Sequence, residues 1–181
     1  STLFFVGVDC SKFKVHVTVL DKTSEIVAFH VFESDEKKDI ERMVEIKILF
    51  HDWLFNFSKK MSAPTNEIVV TVEGPVFLQN PKVSADISRS IYAVEIACIE
   101  LFYPCFEYQN TTWKKHVLGN GSCSKEDILK FSQIKWGRET FKVQDHADAA
   151  CIALHQLLLL SIDDKTKGVK PDGKKHKNHN K

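Results

Sequence analysis

Two apolar runs in this chain each end in a single carboxylate, and this pattern strongly limits the folds available. The run Leu3–Val8 ends at Asp9, and the run Ile68–Val72 ends at Glu73. Short apolar runs of this kind predict buried strands. A carboxylate just past a buried strand costs several kcal/mol if it stays unpaired, so it normally meets a cation or a hydrogen-bond network. The two strand ends are therefore candidate functional positions.

A second acidic pair lies near the end of the chain. Asp145 and Asp148 are three residues apart at the start of a helical stretch, so they share one helix face. Helix capping is an alternative role, because acidic residues are favoured in a first turn. Together with Asp9 and Glu73, the pair could converge on divalent metal ions. That arrangement is the layout of a two-metal phosphodiester nuclease.

Length and composition favour one globular domain. The 181 residues are 43% hydrophobic, which is enough to bury a core. No apolar run approaches the roughly 20 residues of a membrane span, and the first residues do not resemble a signal peptide. The five cysteines are odd in number and form no Cys-x-x-Cys pair, so neither structural zinc nor a disulfide framework is expected. We therefore expect a cytoplasmic protein that does not enter a membrane.

Charge is unevenly distributed along the chain. Residues 163–181 contain seven lysines and three aspartates, a net charge of +4, whereas the rest of the chain carries about −3. The polar composition predicts a domain at 1–162 followed by a disordered, lysine-rich tail at 163–181. A second basic stretch, Thr112–Lys142, has seven basic and three acidic residues. Such a stretch can contact nucleic acid, although most are simply solvated surfaces.

The hydrophobic pattern predicts five strands and five helices. The strands are at 3–9, 14–21, 25–33, 67–73 and Cys105–Tyr108. The helices are at 36–59, 82–102, 111–118, 124–135 and 145–161, with Ser124 and Asp127 as a capping pair for the fourth. This order fits an α/β fold with a mixed five-stranded sheet and helices on both faces. The first and fourth strands are then parallel neighbours, which places Asp9 beside Glu73 where such sheets bind ligands.

Four blocks of the sequence match the pattern of one known family in the same order. They are Val6-Gly-Val-Asp9, the segment from Val72 through Glu73 to Lys82 with Arg89 behind it, the segment Phe106–Lys125, and Gln144-Asp-His-Ala-Asp148. The third block is the most specific, because Lys114 and Lys125 lie eleven residues apart around the turn Gly119-Asn-Gly121. On these blocks the chain resembles the RuvC family of Holliday junction resolvases, within the RNase H-like superfamily.

The resemblance implies metal-dependent hydrolysis of DNA phosphodiesters at four-way junctions and other branched DNA. It assigns two Mg²⁺ ions, which Mn²⁺ could replace, to four metal ligands that are also catalytic: Asp9, Glu73, Asp145 and Asp148. Lys114 and Lys125 resemble the lysines that hold the scissile strand, and they count as both catalytic and DNA-binding. The other expected DNA contacts are Phe77, Asn80, Lys82, Arg89 and Lys115. His146 is expected at the surface.

A two-fold homodimer is expected, because a junction offers two equivalent strands to be cut. The predicted helix at 82–102 and the apolar end of the helix at 36–59 are its candidate surfaces. The sequence departs from the family pattern at Cys10–Phe13, where a turn with Pro and Gly is usual. Val76 also aligns with the family's wedge-like aromatic, and Phe77 comes one residue later. These departures suggest a phage-type homologue, which would act in the host cytoplasm.

Two other classes of protein stay open at this stage. The segment Gly7–Lys12 resembles the start of Asp-Glu-Asp-Asp transposases, but those enzymes continue into a second domain that carries a serine. A non-catalytic RNase H-like nucleic-acid-binding protein, or a related factor in ribosomal RNA processing, is the other class. The presence of all four acidic residues argues against a non-catalytic protein, and the lysine-containing third block argues against the processing factor.

Overall fold

The computed structural model describes residues 2–167 of the chain, and within them every predicted helix and strand is present. The strands are β1 (Phe4–Cys10), β2 (Lys14–Asp21), β3 (Ile26–Glu33), β4 (Ile68–Glu73) and β5 (Cys105–Tyr108). The helices are α1 (Asp39–Lys60), α2 (Pro81–Glu100), α3 (Asn110–Leu118), α4 (Lys125–Trp136) and α5 (Gln144–Lys167), and a 3-10 turn covers Thr65–Glu67. Ser124 and Asp127 form the predicted capping box of α4.

The last helix corrects one prediction. We expected it to end at 161 and a disordered tail to begin at 163, but α5 continues to Lys167. The residues after Ile162 include no helix-breaking glycine or proline before Gly168, so the helix has no local reason to stop earlier. The remainder of the predicted tail, residues 168–181, lies outside the described residues.

The five strands form one mixed sheet in the order β3-β2-β1-β4-β5. β1 is antiparallel to β2 and parallel to β4, and β4 is parallel to β5. The first and fourth strands are therefore parallel neighbours at the centre, which confirms the predicted topology. Val8 and Val72 are the last residues that pair β1 with β4. Asp9 and Glu73 directly follow them, so both lie at the same edge of the sheet.

Helices cover both faces of the sheet, as predicted. α1 and α2 pack on the face that Val6, Val8 and the alternate valines of β2 present. α5 packs on the opposite face through Ala153, Leu154 and Leu157. α3 and α4 then pack against α5 around Trp113, Ile128, Cys151 and Ile152. In this arrangement α3, α4 and α5 all lie on the side of the sheet toward which Asp9 points.

Gly7 allows α5 to lie unusually close to the sheet. A Cβ atom at this position would overlap the backbone oxygen of Ala149 and would lie 2.8 Å from the backbone nitrogen of Ala153. Glycine in a strand often marks such a close approach of another backbone. The contact fixes the height of α5 above β1, and with it the distance from Asp9 to the first turn of α5.

Two predictions based on composition can be compared with the described residues. None of the helices within 2–167 is both long enough and apolar enough to cross a membrane. All five cysteines are free thiols in the structure, so no disulfide supports the fold.

Candidate active site

A cavity at the ends of β1 and β4 brings together all six residues that the sequence predicted to be catalytic. Its walls come from the sheet, from α5, and from α3 and α4. The six residues are Asp9, Glu73, Lys114, Lys125, Asp145 and Asp148. They are far apart in the chain, and the topology of the sheet places them together.

The local structure explains why each carboxylate faces the cavity. Val6 and Val8 point toward α1 and α2, so alternation directs Asp9 to the opposite face, beneath α5. The parallel register places Glu73 on the neighbouring strand. α5 begins at Gln144 directly above this edge, so Asp145 and Asp148 project from its first turns toward Asp9.

Three of the four carboxylates lie within reach of a single cation. Side-chain oxygens of Asp9, Asp145 and Asp148 all lie within 4.8 Å of one another. Glu73 lines the same cavity but does not belong to this group of three. Carboxylate oxygens are the ligands that Mg²⁺ and Ca²⁺ prefer. The three aspartates could therefore hold one divalent cation, and Glu73 lies where it could help to hold a second.

The pKa values indicate that burial, together with mutual repulsion at Asp9 and Asp148, disfavours the charged forms of three of the four carboxylates. Burial, followed by the charges of Asp148, Glu73 and Asp145, raises the pKa of Asp9 well above its usual range. Burial also raises the pKa of Asp148 to about 6 and raises the pKa of Glu73. The positive charge of Lys125 lowers all three pKa values, but by less than the other effects raise them. A bound divalent cation would favour the ionised forms, so the donor set and its charge both fit a metal site.

Trp113, Gln144 and His16 each contact one of the carboxylates, and none of the three was predicted to be a site residue. Trp113 Nε1 donates a hydrogen bond to Glu73 Oε2 over 3.1 Å, and Gln144 Nε2 donates to Asp148 Oδ1 over 3.3 Å. The Nδ1 atom of His16 lies 3.7 Å from Asp145 Oδ2. The alternation in β2 could have revealed His16. It places His16 and Thr18 on the face opposite the buried valines, which is the face that Asp9 and α5 share.

His146 has a structural role that differs from the predicted surface position. Its backbone oxygen accepts a hydrogen bond from Thr18 Oγ1 over 2.8 Å, and its Nε2 lies 3.1 Å from the backbone oxygen of His30. The ring also packs edge-on against His16. His146 is therefore only half-exposed, and it attaches the first turn of α5 to β2 and β3.

Comparisons with known proteins agree with this geometry, although no protein-family model matches the chain. The chain is 26% identical over 137 residues to the crossover junction endodeoxyribonuclease RuvC of Synechocystis sp., a match that covers 74% of this chain and 76% of that protein. It is 36% identical over 84 residues to the RuvC of Salinibacter ruber, which covers 46% and 47% of the two chains. The chain is similar in sequence to RuvC.

The fold agrees with that of RuvC over almost its full length. The structure of Thermus thermophilus RuvC in complex with Holliday junction substrate superimposes with a TM-score of 0.71 at 18% identity. The match covers 88% of this chain and 96% of that one. The predicted RNase H-like class, with its mixed five-stranded sheet, is therefore confirmed.

The segment after Glu73 in this RuvC-like chain directs one aromatic side chain into solvent. Phe77 is 93% exposed, whereas its neighbours Val76 and Leu78 line the cavity. The exposure excludes inward packing of Phe77. Asn80 caps α2, because its Oδ1 accepts hydrogen bonds from the backbone N–H groups of Lys82 and Val83. The DNA contacts expected for Phe77, Asn80 and the exposed Lys82 stay predictions.

Arg89 is engaged in an ion-pair cluster next to the RuvC-like site. Its Nη1 lies 2.9 Å from Asp86 Oδ1 and 3.6 Å from Asp39 Oδ2. The buried Asp86 also pairs with Lys12 at 3.3 Å and Arg42 at 3.5 Å. This cluster attaches the turn after Asp9 to α1 and α2, where the family pattern has Pro and Gly. A DNA contact by Arg89 stays a prediction, as does one by Lys115, which is exposed on α3 outside the cavity.

The raised pKa values predict that metal binding weakens in mild acid. Metal ligation requires deprotonated carboxylates, so a cation must displace protons from Asp148 below its pKa of about 6, and from Asp9 over a wider range. We expect Mg²⁺ affinity to fall by at least about tenfold per pH unit below about pH 6, as measured by calorimetric titration without DNA. An affinity that stays constant from about pH 7 to about pH 5 would contradict this assignment.

The same shift predicts how the metal-free protein responds to pH. The folded state keeps the proton on Asp148 up to a pH of about 6, whereas the unfolded state releases it near the ordinary value of 3.8. The contribution of Asp148 to stability is therefore largest below that ordinary value and is lost as pH rises to about 6. Divalent metal should restore stability at neutral pH, which thermal unfolding with and without Mg²⁺ would measure.

Proposed function

We propose that this chain is a metal-dependent, structure-selective endonuclease that cuts Holliday junctions and other branched DNA. One observation carries the proposal: four carboxylates and two lysines converge at one sheet edge in a chain that is homologous to RuvC. The relatives in Synechocystis and Salinibacter are named crossover junction endodeoxyribonucleases. The nuclease domain would span residues 1–162 and be followed by the lysine-rich tail, into which α5 extends as far as Lys167.

The cavity supports a specific division of roles among its residues. Asp9 follows the central strand β1 and would contribute to both cation positions, while Glu73 would serve one position, and Asp145 and Asp148 the other. Two Mg²⁺ ions, or Mn²⁺ in their place, would supply charge neutralisation at the scissile phosphate and activation of water. Lys114 and Lys125 line the same walls, and their ammonium groups would hold phosphate oxygens of the strand being cut.

Selectivity for branched DNA would come from groups around the cavity. Phe77 projects from the segment that also supplies cavity residues, so its ring could stack on a base left unpaired at a branch. Asn80, Lys82, Arg89 and Lys115 are the weaker candidates for contacts with the duplex backbone. Arg89 would have to exchange its ion pairs with Asp86 and Asp39 for such a contact.

A homodimer would supply two cavities for the two equivalent strands of a junction. The outer faces of α1 and α2 support this proposal, because they expose an unusual number of apolar side chains. Ile40, Val44 and Ile48 lie along α1, while Ile99 on α2 is 72% exposed and Phe102 just after it is 85% exposed. Large exposed apolar patches typically mark protein–protein interfaces. The free cysteines support a reducing compartment such as the cytoplasm.

The alternative functions are not favoured. A transposase module would share the carboxylates, but the relatives that match this chain are junction endonucleases. A non-catalytic binding protein or a ribosomal RNA processing factor would not need three carboxylates within reach of one cation, because such a cluster costs stability when it is empty.

Cleavage of defined substrates tests the proposal directly. We expect symmetric nicking of a synthetic four-way junction in Mg²⁺, slower cutting of forks, and little cutting of a linear duplex of the same sequence. EDTA should abolish cutting and leave binding to the junction measurable by gel shift. Equal cutting of junction and linear duplex would rule out structure selectivity, and the absence of cutting from all substrates in both Mg²⁺ and Mn²⁺ would rule out the nuclease.

A further inference from the structure

We propose that Trp113 is a positioning residue, whose indole N–H holds Glu73 in the orientation that binds metal. This inference rests on the proposed function, because it concerns the same site. It goes further by assigning part of the metal affinity to a residue of α3 that would not itself touch the cation or the DNA.

The indole is fixed before it contacts the carboxylate. Trp113 is 1% exposed, and it packs in a cluster with Ile128 of α4 and with Cys151 and Ile152 of α5. Surrounded in this way, the ring has no room to change rotamer. Its only polar atom points at Glu73, with Nε1 3.1 Å from Oε2. A rigid donor therefore acts on a carboxylate that would otherwise rotate freely about its terminal bond.

A second side chain of the same helix acts on Glu73. Asn110 lines the cavity with Glu73, and hydrogen bonding from its side chain opposes the rise in the pKa of that carboxyl. Asn110 and Trp113 are three residues apart and so lie on one face of α3. Both hydrogen bonds lower the pKa of Glu73 and so oppose the increase that burial causes. An ionised carboxylate has about four lone-pair positions, so two donors can hold it and still leave positions for a cation.

The helix that holds Glu73 also carries Lys114. The next residue after Trp113 lines the cavity, with its Nζ 5.7 Å from the centre of the indole ring. The same helix thus presents both the donor to Glu73 and the ammonium group of Lys114 to the cavity. Residues that orient metal ligands through hydrogen bonds commonly contribute about 10–100-fold in metal affinity or activity.

The experiment compares two tryptophan substitutions in the same part of the core. Trp113→Phe keeps an aromatic ring in the cluster but removes the donor to Glu73. Trp136→Phe is the matched control, because Trp136 packs against the same cluster and also loses an indole hydrogen bond, here the 2.8 Å bond to the backbone oxygen of Ser24. Trp136 does not line the cavity.

We expect Trp113→Phe to weaken Mg²⁺ binding by about 10–100-fold in calorimetric titrations without DNA, and Trp136→Phe to bind like wild type. Cutting by Trp113→Phe should recover toward the wild-type rate at high Mg²⁺ concentration, because the defect lies in metal affinity. Metal should also change the tryptophan fluorescence of wild type and Trp136→Phe, and the change should be absent from Trp113→Phe. Wild-type affinity in folded Trp113→Phe would overturn the inference.

A second variant keeps the test decisive if Trp113→Phe does not fold. Asn110→Ala removes the other donor from a half-exposed position, and it should lower Mg²⁺ affinity in the same direction. Unchanged affinity in that variant would overturn the role of α3. Failure of the proposed function would give a different result. A wild-type chain that binds Mg²⁺ and cuts no DNA would refute the nuclease, while the Mg²⁺ affinities of wild type and variants could still be compared.

Discussion

Asp9→Asn will abolish cutting of junction DNA and leave junction binding intact. The change keeps the size of the side chain but removes a charge that lies within a cation's reach of Asp145 and Asp148. It should lower the cleavage rate by about 10³-fold or more, since several kcal/mol of transition-state stabilisation depend on the bound cations. Single-turnover cleavage of a labelled junction measures the rate, and gel shift in EDTA measures binding.

The control for this variant is Asp52→Asn. Asp52 is an exposed aspartate on α1, away from the cavity, so the same chemical change should leave cutting and binding unchanged. Asp9→Asn should also make the metal-free protein more stable at neutral pH, because it removes a carboxylate that burial and its neighbours disfavour in the charged form. Loss of junction binding together with cutting, or a less stable protein, would show that Asp9 is structural.

Gly7→Ala will unfold the protein or strongly lower its free energy of unfolding, although the change adds a single methyl group. The new Cβ would overlap the backbone of α5 at Ala149, and backbone cannot move aside as a flexible side chain can. Overpacking of a core commonly costs 1–3 kcal/mol, so we expect about 3 kcal/mol or more here. For a chain of this size that corresponds to a drop of about 10 °C in Tm, measured by thermal unfolding.

The same substitution should weaken metal binding more than its effect on stability alone would suggest. Moving α5 away from β1 separates Asp145 and Asp148 from Asp9, and all three must stay within reach of one cation. Gly121→Ala is a suitable control, because it adds the same methyl group in a turn where the closest contact is a milder 3.1 Å to the backbone oxygen of Thr111. A Gly7→Ala protein with wild-type Tm and Mg²⁺ affinity would show that the close approach is not required.

Much of this fold could be predicted because local pattern and global topology agree. The alternation in β2 and the helical period of α1 and α2 are strong signals, and a parallel neighbour for β1 followed from the order of the elements. Once β1 and β4 are neighbours, Asp9 and Glu73 must lie together. The helical pattern predicted α5 and its acidic pair, and the resemblance to RuvC added the two lysines, which no local pattern could have brought to the same cavity.

The parts that sequence analysis missed depend on contacts between distant elements. Trp113 looks like an ordinary core residue, and only the packing of α3 reveals that its N–H faces Glu73. Arg89 was expected to contact DNA, and the sequence pattern does not show that it pairs with Asp86. Asp86 is a buried aspartate of α2, and its burial could not be read from the pattern. The predicted helix ended with the apolar run at 161, whereas the polar residues up to Lys167 include no Gly or Pro and continue α5.

The sheet separates two surfaces that can change independently. The carboxylates and lysines of the cavity lie on one side of the sheet, while the apolar residues Ile40, Val44 and Ile99 lie on helices that cover the other side. A lineage could therefore rebuild how subunits associate, or lose association altogether, without moving a single ligand. A group attached to the outer surface of α1 would therefore compete with subunit association, but the sheet would keep it away from the cavity.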